Sequence, residues 1–426
     1  MIIQPISSLE GSIPIPGDKS ISHRSIMFGS IAEGETRIYN FLMGADCLST
    51  IQCFRQLGIP IEIGPDYILV QGKGLHGLTK SDEVLDCGNS GTTVRLISGI
   101  LAGQPFTSTI TGDASIQKRP MDRIMIPLQA MHADIRGHEN SFCPLVISPS
   151  TLTGIHYNSP VASAQVKSCL LLAGLYANSP VTVCEPTLSR DHTERMLKAF
   201  GANITVEGKC VTIHPGSTLH AKEIIVPGDI SSAAPFIVAG LIVPNSKITL
   251  KNVGINPTRR GLLDALLEMG GKITCCNERE LCGEPVCDMI IESSKLHGIT
   301  IGGEIIPTMI DEIPIFAVAA LFAEGTTTIK DATELKVKES NRIDTTATEL
   351  GKMGGHVTPL EDGLIIEGGH PLEGATLESY HDHRIAMSLA IASLMASSPS
   401  HILNSECVTI SYPHFFEDLE KLALYD

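Results

Sequence analysis

The sequence contains no tryptophan, and aromatic residues make up only 4% of its 426 positions. It also has no long hydrophobic run. The longest runs, such as "LLLAGLYA" and "APFIVAGLIVP", fall short of the roughly 18 residues that a membrane-spanning helix needs. The first residues, "MIIQPISSLEGSIPIPG", lack the basic start and the continuous apolar core of a signal peptide. We therefore expect a cytoplasmic protein that does not enter a membrane.

Cysteine is present, but its spacing is not that of a disulfide framework. Several of the twelve cysteines lie inside apolar runs, as Cys87, Cys169 and Cys184 do, which is typical of buried, reduced thiols in a cytosolic enzyme. One segment holds four cysteines without a C-x-x-C pair or a nearby histidine: Cys275, Cys276, Cys282 and Cys287. The alternatives there are a metal site and a β-hairpin, and the spacing favours the hairpin.

Positive charge is scarce as well. Lysine and arginine number 31 against 47 aspartates and glutamates, so the formal net charge is -16. This balance argues against nucleic acid as a partner. If the ligands are anions, the few cations must be concentrated in one cleft.

One phrase recurs along the chain: the end of an apolar helix, a glycine or small residue, a short strand, a polar turn and a second strand. Its five copies begin at Leu57, Met131, Phe200, Met269 and Met353. The glycine suits a left-handed helix C-cap, and the strands alternate toward one face. The phrase predicts an α/β protein built of βαβαββ-type repeats. Chance similarity among ordinary α/β segments is the alternative.

A sixth copy is split across the termini, because the last helix has no following hairpin and the chain begins with unpaired strands. Three copies lie between the Pro-Gly-Asp turns of "IPIPGDKSIS" and "IIVPGDISSA", and three lie outside them. We therefore predict two similar domains of three repeats each. One comprises residues 1–17 plus 228–426, and the other is inserted at 18–227. Hinges are expected near residues 16–19 and 226–230, with the ligand site in the cleft beside them.

The first Pro-Gly-Asp turn carries cations. "GDKSISHRS" places Lys19, Ser20 and Arg24 within two turns of a helix start. The glycine that a P-loop has before its lysine is absent, so we reject nucleoside triphosphate binding by that route. A phosphate or carboxylate cradle is one interpretation, and an ordinary charged surface helix is the other.

Two further segments combine polar turns with arginine. "GNSGTTVRL" brings Gly91 to the head of an apolar helix, where the backbone can approach an anion or simply be capped. "GDASIQKRPMDR" places Lys118, Arg119 and Arg123 beside Pro120. The arginines of that loop could bind an anion through two hydrogen bonds each, and an ordinary solvated basic loop is the alternative interpretation.

The next two segments extend this pattern. "SPVASAQVKS" sets Ser163, Ala164 and Gln165 at another buried helix start, where the amide could bind hydroxyl groups or cap the helix. "SRDHTERM" supplies Arg190 just after a predicted strand. "IDEIPIFAVAALFAEG" then puts Asp311 before an apolar helix, as a helix-terminal charge or as a general base.

The last two segments are "KVKESNRIDTTATELGKMGG" and "HDHRIAMSLAIASLMA". We predict that the first is one helix, with Lys338 and Arg342 at i and i+4 on the same face and Glu339 beside them. A surface helix with salt bridges is the alternative. In the second segment Arg384 stands at a helix start with Asp382 as its cap. Two histidines at i, i+2 cannot share a helix face, which disfavours a metal site there.

Seven cations thus sit at or near the heads of apolar helices in both predicted domains: Lys19, Arg24, Arg119, Arg190, Lys338, Arg342 and Arg384. A phosphomonoester carries about -1.5 to -2 at neutral pH. Two small substrates, each with one phosphate and one carboxylate, would total roughly -6 and match this set. The pattern predicts a reaction between two anions that repel each other until the protein neutralises them.

These motifs, "PGDKSISHR", "GNSGTTVRL", "GDASIQKRPM", "SPVASAQVKS", "SRDHTE", "KESNRI" and "DHRIAMS", resemble those of the 5-enolpyruvylshikimate-3-phosphate synthase family, in order and over essentially the whole chain. The resemblance implies the enolpyruvyl transferase fold, an inside-out α/β barrel in each domain, and domains that close on the substrates. It implies transfer of the enolpyruvyl group of phosphoenolpyruvate to the 5-hydroxyl of shikimate-3-phosphate with release of phosphate. That reaction belongs to the shikimate pathway, which leads to chorismate and the aromatic amino acids.

The resemblance also assigns roles by position. The shikimate-3-phosphate site would comprise Lys19, Ser20, Arg24, Ser163, Ala164, Gln165, Arg190, Asp311 and Lys338. The phosphoenolpyruvate site would comprise Lys19, Gly91, Arg119, Gln165, Arg342 and Arg384. Lys19, Asp311 and Glu339 would be catalytic, with Asp311 accepting the hydroxyl proton and Glu339 protonating the enol methylene. Such transfers gain most in a desolvated cleft. No cofactor or metal is expected, and we expect a monomer.

This chain departs from the family pattern at two positions. Ala164 replaces a serine that some members carry, so only the main chain can contribute there. Ile410 stands where many members carry a lysine that contacts phosphoenolpyruvate. At Gly91, extra bulk is associated with tolerance to the inhibitor glyphosate, so we expect this chain to bind glyphosate.

Two competing functions remain. The related enolpyruvyl transferase that uses UDP-N-acetylglucosamine has a reactive cysteine in its mobile loop, and "GDASIQKRPMD" has none. A non-catalytic anion-binding paralogue is the second alternative. The joint presence of Asp311, Lys338, Glu339 and Arg384 argues against it.

Overall fold

The computed structural model describes residues 1–425. Contacts between residues divide it into two compact units. Unit 1 comprises Met1–Pro16, Pro227–Glu280 and the residues from Pro285 onward. Unit 2 comprises Gly17–Val226 together with Leu281–Glu284. That these units are domains moving about hinges near residues 16–19 and 226–230 stays a prediction.

Thirteen α-helices are formed in the described chain. Those of unit 2 are α1 (Lys19–Ile31), α2 (Ala45–Gln56), α3 (Gly91–Leu101), α4 (Asp122–Ala130), α5 (Ala164–Gly174) and α6 (His192–Ala199). Those of unit 1 are α7 (Ile230–Ile242), α8 (Gly261–Glu268), α9 (Ile306–Met309), α10 (Ile313–Leu321), α11 (Arg342–Lys352), α12 (His383–Ser393) and α13 (Phe415–Leu422).

The strands alternate with these helices along the chain. The first twelve are β1 (Ile2–Ile3), β2 (Ser8–Pro14), β3 (Glu33–Tyr39), β4 (Ile61–Ile63), β5 (Tyr67–Lys73), β6 (Leu85–Asp86), β7 (Ser108–Thr111), β8 (Asp134–His138), β9 (Phe142–Ser148), β10 (His156–Asn158), β11 (Val181–Cys184) and β12 (Asn203–Glu207). The others are β13 (Cys210–His214), β14 (Glu223–Ile225), β15 (Lys247–Gly254), β16 (Lys272–Leu281), β17 (Glu284–Glu292), β18 (Thr300–Ile301), β19 (Thr326–Ile329), β20 (His356–Pro359), β21 (Leu364–Glu367), β22 (Thr376–Glu378), β23 (Ser400–Leu403) and β24 (Ala423–Leu424).

The predicted repeats form sheets of one topology. In each, a first strand runs parallel to a second, and a hairpin then adds two antiparallel strands. Five sheets follow this order: β14-β3-β5-β4, β6-β7-β9-β8, β10-β11-β13-β12, β18-β19-β21-β20 and β2-β15-β17-β16, the last extended by β24. All five predicted hairpins are therefore confirmed, including the one that holds the cysteine-rich segment.

The sixth sheet has the order β22-β23-β1 and is completed by the first strand of the chain. Strand β22 runs parallel to β23, and Ile2 and Ile3 of β1 pair antiparallel with His401 and Ser400 of β23. The N-terminus thus supplies the strand that the C-terminal segment lacks. The prediction of a repeat split across the termini is confirmed for β1, but the expected hairpin is not formed, because β2 joins the sheet of β15.

The residue between each helix and its hairpin has positive φ, as the left-handed C-cap requires. Four copies use glycine: Gly58, Gly201, Gly270 and Gly354. The second copy uses His132 at φ 66°, so the expectation of a glycine after every helix is wrong there. Two effects disfavour a side chain at Gly58: its φ is +85°, and a Cβ would lie 2.2 Å from Thr79 Oγ1.

Each unit packs around buried helices whose first residues belong to the predicted motifs. In unit 2, α1 and α5 both pack against α3, and the buried apolar residues of the three helices belong to one core. In unit 1, α7, α10 and α12 pack against one another, and all three are buried along their whole length. Buried apolar helices thus fill each unit, and the predicted motifs lie at their N-termini. Among residues 1–425, no helix combines the length and apolar character that crossing a membrane requires.

One cysteine prediction is wrong. Cys184 is only half-buried and forms a disulfide with Cys210. The two residues face each other across the antiparallel pair β11 and β13. Sequence spacing could not show this, because the pairing depends on the register of two strands 26 residues apart. The other ten cysteines, Cys87 and Cys169 among them, form no disulfide.

Candidate active site

In unit 2, the Pro-Gly-Asp turn places Lys19 at the first residue of α1. Asp18 caps this helix, because its carboxylate accepts a hydrogen bond from the Ile21 main-chain N–H at 2.8 Å. The Lys19 ammonium lies 3.1 Å from Asp46 at the start of α2 and keeps 22% of its side chain exposed. The cation is therefore held by one carboxylate and still accessible to a ligand.

Arg24 lies one turn further along α1 and is buried, at 4% exposed. Its Nε donates to Thr193 Oγ1 at 2.7 Å, its Nη1 to the Ser20 carbonyl at 2.9 Å and its Nη2 to Ser168 Oγ at 2.9 Å. Burial lowers the pKa of Arg24 to about 10, although nearby carboxylates, Glu194 foremost, oppose that effect. At neutral pH Arg24 is still a cation, fixed by neutral partners.

Two guanidinium groups converge at the head of α3. A Cβ on Gly91 would lie 3.3 Å from Arg95 Nη1 and 3.5 Å from Arg119 Nη1. Arg119 is oriented by Asn89 Oδ1, to which its Nη2 donates at 2.9 Å. Ser90 caps the helix through the Thr93 N–H. Bare backbone, a helix N-terminus and two cations together form a cradle for an anion.

The sequence prediction missed Arg95. It lies inside an otherwise apolar helix, is only 8% exposed and donates to Gln165 Oε1. A single cation within an apolar helix was the available sign, because burying a charge is costly unless it is paired. Through this bond and one from Gln165 Nε2 to Thr92 Oγ1 at 3.3 Å, Gln165 joins the head of α3.

Ser163 and Arg190 complete the predicted residues of unit 2. Ser163 is the buried N-cap of α5, and its main-chain N–H donates to Glu185 Oε1 at 2.9 Å. Ala164, the first residue of α5, is half-buried and offers only main-chain groups. Arg190 lies half-buried in the loop between β11 and α6.

In unit 1, Asp311 lies just before α10 and contacts two cations. Lys338 Nζ is 3.3 Å and Arg342 Nη1 is 3.2 Å from the same oxygen, Asp311 Oδ1. The predicted helix through Lys338 is wrong: this residue has extended backbone, and α11 begins only at Arg342, capped by Asn341. The two cations meet at Asp311 because the chain turns between them, not because they share a helix face.

Arg342 is the most heavily paired cation of the site, and its side chain is 1% exposed. Its Nε lies 2.8 Å from Asp382 Oδ2, and its Nη2 lies 2.7 Å from Glu339 Oε2. Burial acts to lower the pKa of Arg342, but Asp382, Glu339 and Asp311 outweigh it and hold that pKa above its ordinary value. Arg342 therefore links both predicted catalytic carboxylates.

Arg384 stands at the head of α12. Its N–H donates to the capping carboxylate of Asp382 at 2.9 Å, which confirms the predicted cap, and its Nη1 donates to the Ser231 carbonyl at 2.8 Å. The hydroxyl of Ser231 bonds the buried Glu312, and Arg259 donates to that same hydroxyl. Arg259, 3% exposed, was also missed by the sequence prediction.

Ile410 has an apolar side chain that lies against the protein core. It is partly buried and packs against the apolar core of unit 1. This position therefore offers no side-chain group to an anion.

Unit 2 thus presents cations, hydroxyls and amides at the heads of α1, α3 and α5, an arrangement suited to binding anions. Unit 1 presents three cations interleaved with carboxylates, an arrangement suited to proton transfer beside bound anions. The repeated sheets and these helix N-termini define the enolpyruvyl transferase fold. The enolpyruvyl transferase NikO from Streptomyces tendae shares it with a TM-score of 0.79 at 18% identity, over 99% of this chain and 96% of that one.

The chain belongs to the family EPSP synthase (3-phosphoshikimate 1-carboxyvinyltransferase), whose sequence model matches residues 3–419. A 3-phosphoshikimate 1-carboxyvinyltransferase of Bacillus thuringiensis (strain Al Hakam) is 57% identical over 424 residues, 99% of each chain. One of Thermoanaerobacter sp. (strain X514) is 56% identical over 97% of this chain and 98% of its own. The structure of EPSP synthase from Acinetobacter baumannii aligns with a TM-score of 0.91 at 46% identity, over 100% and 98% of the chains. The predicted family, fold class and enzyme class are confirmed.

Proposed function

We propose that this protein transfers the enolpyruvyl group of phosphoenolpyruvate to the 5-hydroxyl of shikimate-3-phosphate and releases phosphate, as a step of aromatic amino acid biosynthesis. The observation that carries this proposal is the position of Asp311, which contacts both Lys338 and Arg342 while Arg342 also holds Glu339. Asp311 as a base and Glu339 as an acid, both bound to Arg342, suit a reaction that removes one proton and delivers another.

Two groups of residues would hold the substrates. We assign shikimate-3-phosphate to Lys19, Ser20, Arg24, Ser163, Ala164, Gln165, Arg190, Asp311 and Lys338. We assign phosphoenolpyruvate to Lys19, Gly91, Arg119, Gln165, Arg342 and Arg384, and we add Arg95. The convergence of Arg95 and Arg119 on Gly91 supports the second assignment. Residues of both units would then take part, each supplying cations for anionic substrates.

The first step would be an addition. Glu339 gives a proton to C3 of phosphoenolpyruvate, which turns the methylene into a methyl group. The 5-hydroxyl oxygen bonds to C2, and its proton passes to Asp311, assisted by Lys19. Lys338 and Arg342 hold the Asp311 carboxylate in place for this proton.

The second step would be an elimination from this tetrahedral adduct. The Glu339 carboxylate takes one proton back from the C3 methyl group, the bond from C2 to the phosphate oxygen breaks, and the double bond forms again. Asp311 gives its proton to the departing phosphate or to solvent. Phosphate departs with the electron pair of that bond. Cations placed where negative charge develops would stabilise both transition states without reorganising. The enzyme would act as a cytoplasmic monomer.

The test is a phosphate-release assay with phosphoenolpyruvate and one acceptor at a time. We expect release with shikimate-3-phosphate and none with UDP-N-acetylglucosamine or without an acceptor. Asp311→Asn and Glu339→Gln should each reduce kcat by about a hundredfold or more, which is the usual size of a general acid or base contribution. Unchanged rates in both variants would remove the catalytic assignment. Tight binding of shikimate-3-phosphate without turnover would instead support the non-catalytic alternative.

A further inference from the structure

Lys167, Glu185 and Glu194 form a buried ionic cluster in unit 2, next to the segments that carry Ser163 and Arg190. Lys167 projects from α5, and its Nζ is 2.9 Å from Glu185 Oε2 and 2.7 Å from Glu194 Oε1. The three side chains are 2%, 1% and 6% exposed. None of them belongs to the substrate sites assigned above, so their charges need another explanation.

Glu185 joins two segments that carry predicted ligands. Its Oε1 accepts a hydrogen bond from the N–H of Ser163, the cap of α5, at 2.9 Å. Its Oε2 accepts from Ser189, through the hydroxyl at 2.9 Å and through the N–H at 3.3 Å. Ser189 directly precedes Arg190. One carboxylate therefore sets the distance between the head of α5 and the loop that presents Arg190.

Lys167 anchors Glu185 at the oxygen that also accepts the Ser189 bonds, because its Nζ lies 2.9 Å from Oε2. A well-packed apolar side chain at position 167 would stabilise the core about as well as an ion pair does. Stability alone thus gives no reason for a lysine within the buried stretch of α5.

We propose that Lys167 and Glu185 are positioning residues that fix Ser163 and Arg190 for the phosphate of shikimate-3-phosphate. This inference rests on the proposed function. Neither residue touches the substrate. Glu185 orients the two segments through their main chain, and Lys167 holds the Glu185 carboxylate in place and donates to the Ser189 carbonyl at 3.4 Å. Binding of shikimate-3-phosphate should therefore depend on them, whereas the chemical step and the phosphoenolpyruvate site should not.

The experiment compares Lys167→Met and Glu185→Gln with the unaltered protein. Calorimetry measures the Kd of shikimate-3-phosphate, and steady-state kinetics gives kcat and both KM values. We expect the Kd and KM of shikimate-3-phosphate to rise about tenfold or more, the factor that corresponds to 1.4 kcal/mol. We expect kcat at saturation and the KM of phosphoenolpyruvate to change less than about twofold. In Glu185→Gln the amide nitrogen replaces one of the two accepting oxygens, so either the Ser163 bond or the Ser189 bonds are lost.

Two controls separate positioning from other effects. Gln104→Ala removes a buried side chain that bonds the Leu75 carbonyl at the far end of α3, so it lowers stability without touching either segment. It should leave the Kd of shikimate-3-phosphate unchanged. Glu194→Gln removes a charge from the same lysine but no bond to Ser163 or Ser189, so its effect should be clearly smaller than that of Glu185→Gln. Equal effects of Glu194→Gln and Glu185→Gln on the Kd of shikimate-3-phosphate would overturn the positioning role of Glu185.

The outcomes are distinct. If the unaltered protein does not bind shikimate-3-phosphate, the proposed function fails. If it binds and both variants bind equally well, only the positioning inference is overturned. A loss confined to kcat would also contradict it. Should Lys167→Met fail to fold, Glu185→Gln decides alone, because it keeps the volume and the lysine.

Discussion

Asp382 is the charge on which the arrangement of unit 1 depends most. It is 0% exposed and accepts four hydrogen bonds: from Ser340 Oγ at 3.0 Å, from Arg342 Nε and Nη2 at 2.8 and 3.1 Å, and from the Arg384 N–H at 2.9 Å. The perturbation to make is Asp382→Asn, which keeps the shape of the side chain. The amide nitrogen cannot accept, so the bonds from Ser340 and Arg342 Nε are lost.

The expected cost follows from these contacts. Hydrogen bonds to charged groups contribute about 1.5 to 3 kcal/mol each, and two are lost. Removing one partner of a buried ion pair costs about 3 to 5 kcal/mol, which agrees. We therefore expect the free energy of unfolding to fall by about 3 to 5 kcal/mol at neutral pH. The KM of phosphoenolpyruvate should rise as well, because Arg342 loses its anchor.

The pH dependence of the stability difference shows whether the charge of Asp382 causes it. Burial acts to raise the pKa of Asp382, but the Arg342 charge outweighs it and holds that pKa below the ordinary value of 3.8. A carboxyl with a lowered pKa stabilises the fold fully above its unfolded pKa, and this contribution is lost as pH falls through the folded pKa. The advantage over Asp382→Asn should thus be constant above about pH 5 and shrink in stronger acid.

Urea unfolding at several pH values measures this, followed by far-ultraviolet circular dichroism because the chain has no tryptophan. Leu377→Ala offers a control in the same unit, since it removes a buried apolar side chain whose contribution is independent of carboxylate titration. A difference below about 1 kcal/mol at neutral pH, or one that grows as pH falls, would refute the reasoning for Asp382.

Two further predictions follow from the structure. Gly91→Ala places a methyl group 3.3 Å from Arg95 Nη1. The KM of phosphoenolpyruvate and the IC50 of glyphosate should both rise about five- to 150-fold, as overpacking by about 1 to 3 kcal/mol implies, and an unchanged IC50 would contradict this. Alkylation of the unfolded, unreduced protein should label ten thiols by mass spectrometry, and twelve labelled thiols would contradict the Cys184–Cys210 pairing. Reduction of this disulfide should lower the free energy of unfolding by about 3 kcal/mol.

The repeats could be predicted because they depend on local chemistry. Apolar periodicity marks the helices, and a residue with positive φ ends them, so Gly58 and Gly354 mark hairpin starts in the sequence. The start of α11 was missed although its sign was present: Asn341 is followed three residues later by Asp344, whose N–H it caps. A contiguous polar stretch was taken for one helix when the cap lay in its middle.

The paired charges could not be predicted in the same way. Arg95 lies inside an apolar helix and Arg259 in the polar turn before α8, and their partners Gln165 and Ser231 are 70 and 28 residues away. Such pairs exist only once helices from different repeats pack together. Sequence motifs therefore indicate which helix heads carry ligands, whereas the side chains that orient those ligands depend on packing.

The central claim, addition followed by elimination at C3 of phosphoenolpyruvate, is tested most directly by running the reaction in D₂O. The mass of the enolpyruvyl product and of recovered phosphoenolpyruvate then reports exchange at the methylene group. We predict deuterium in that group only when shikimate-3-phosphate is present, and its loss in Glu339→Gln. Phosphate release with a methylene group free of deuterium would contradict the account.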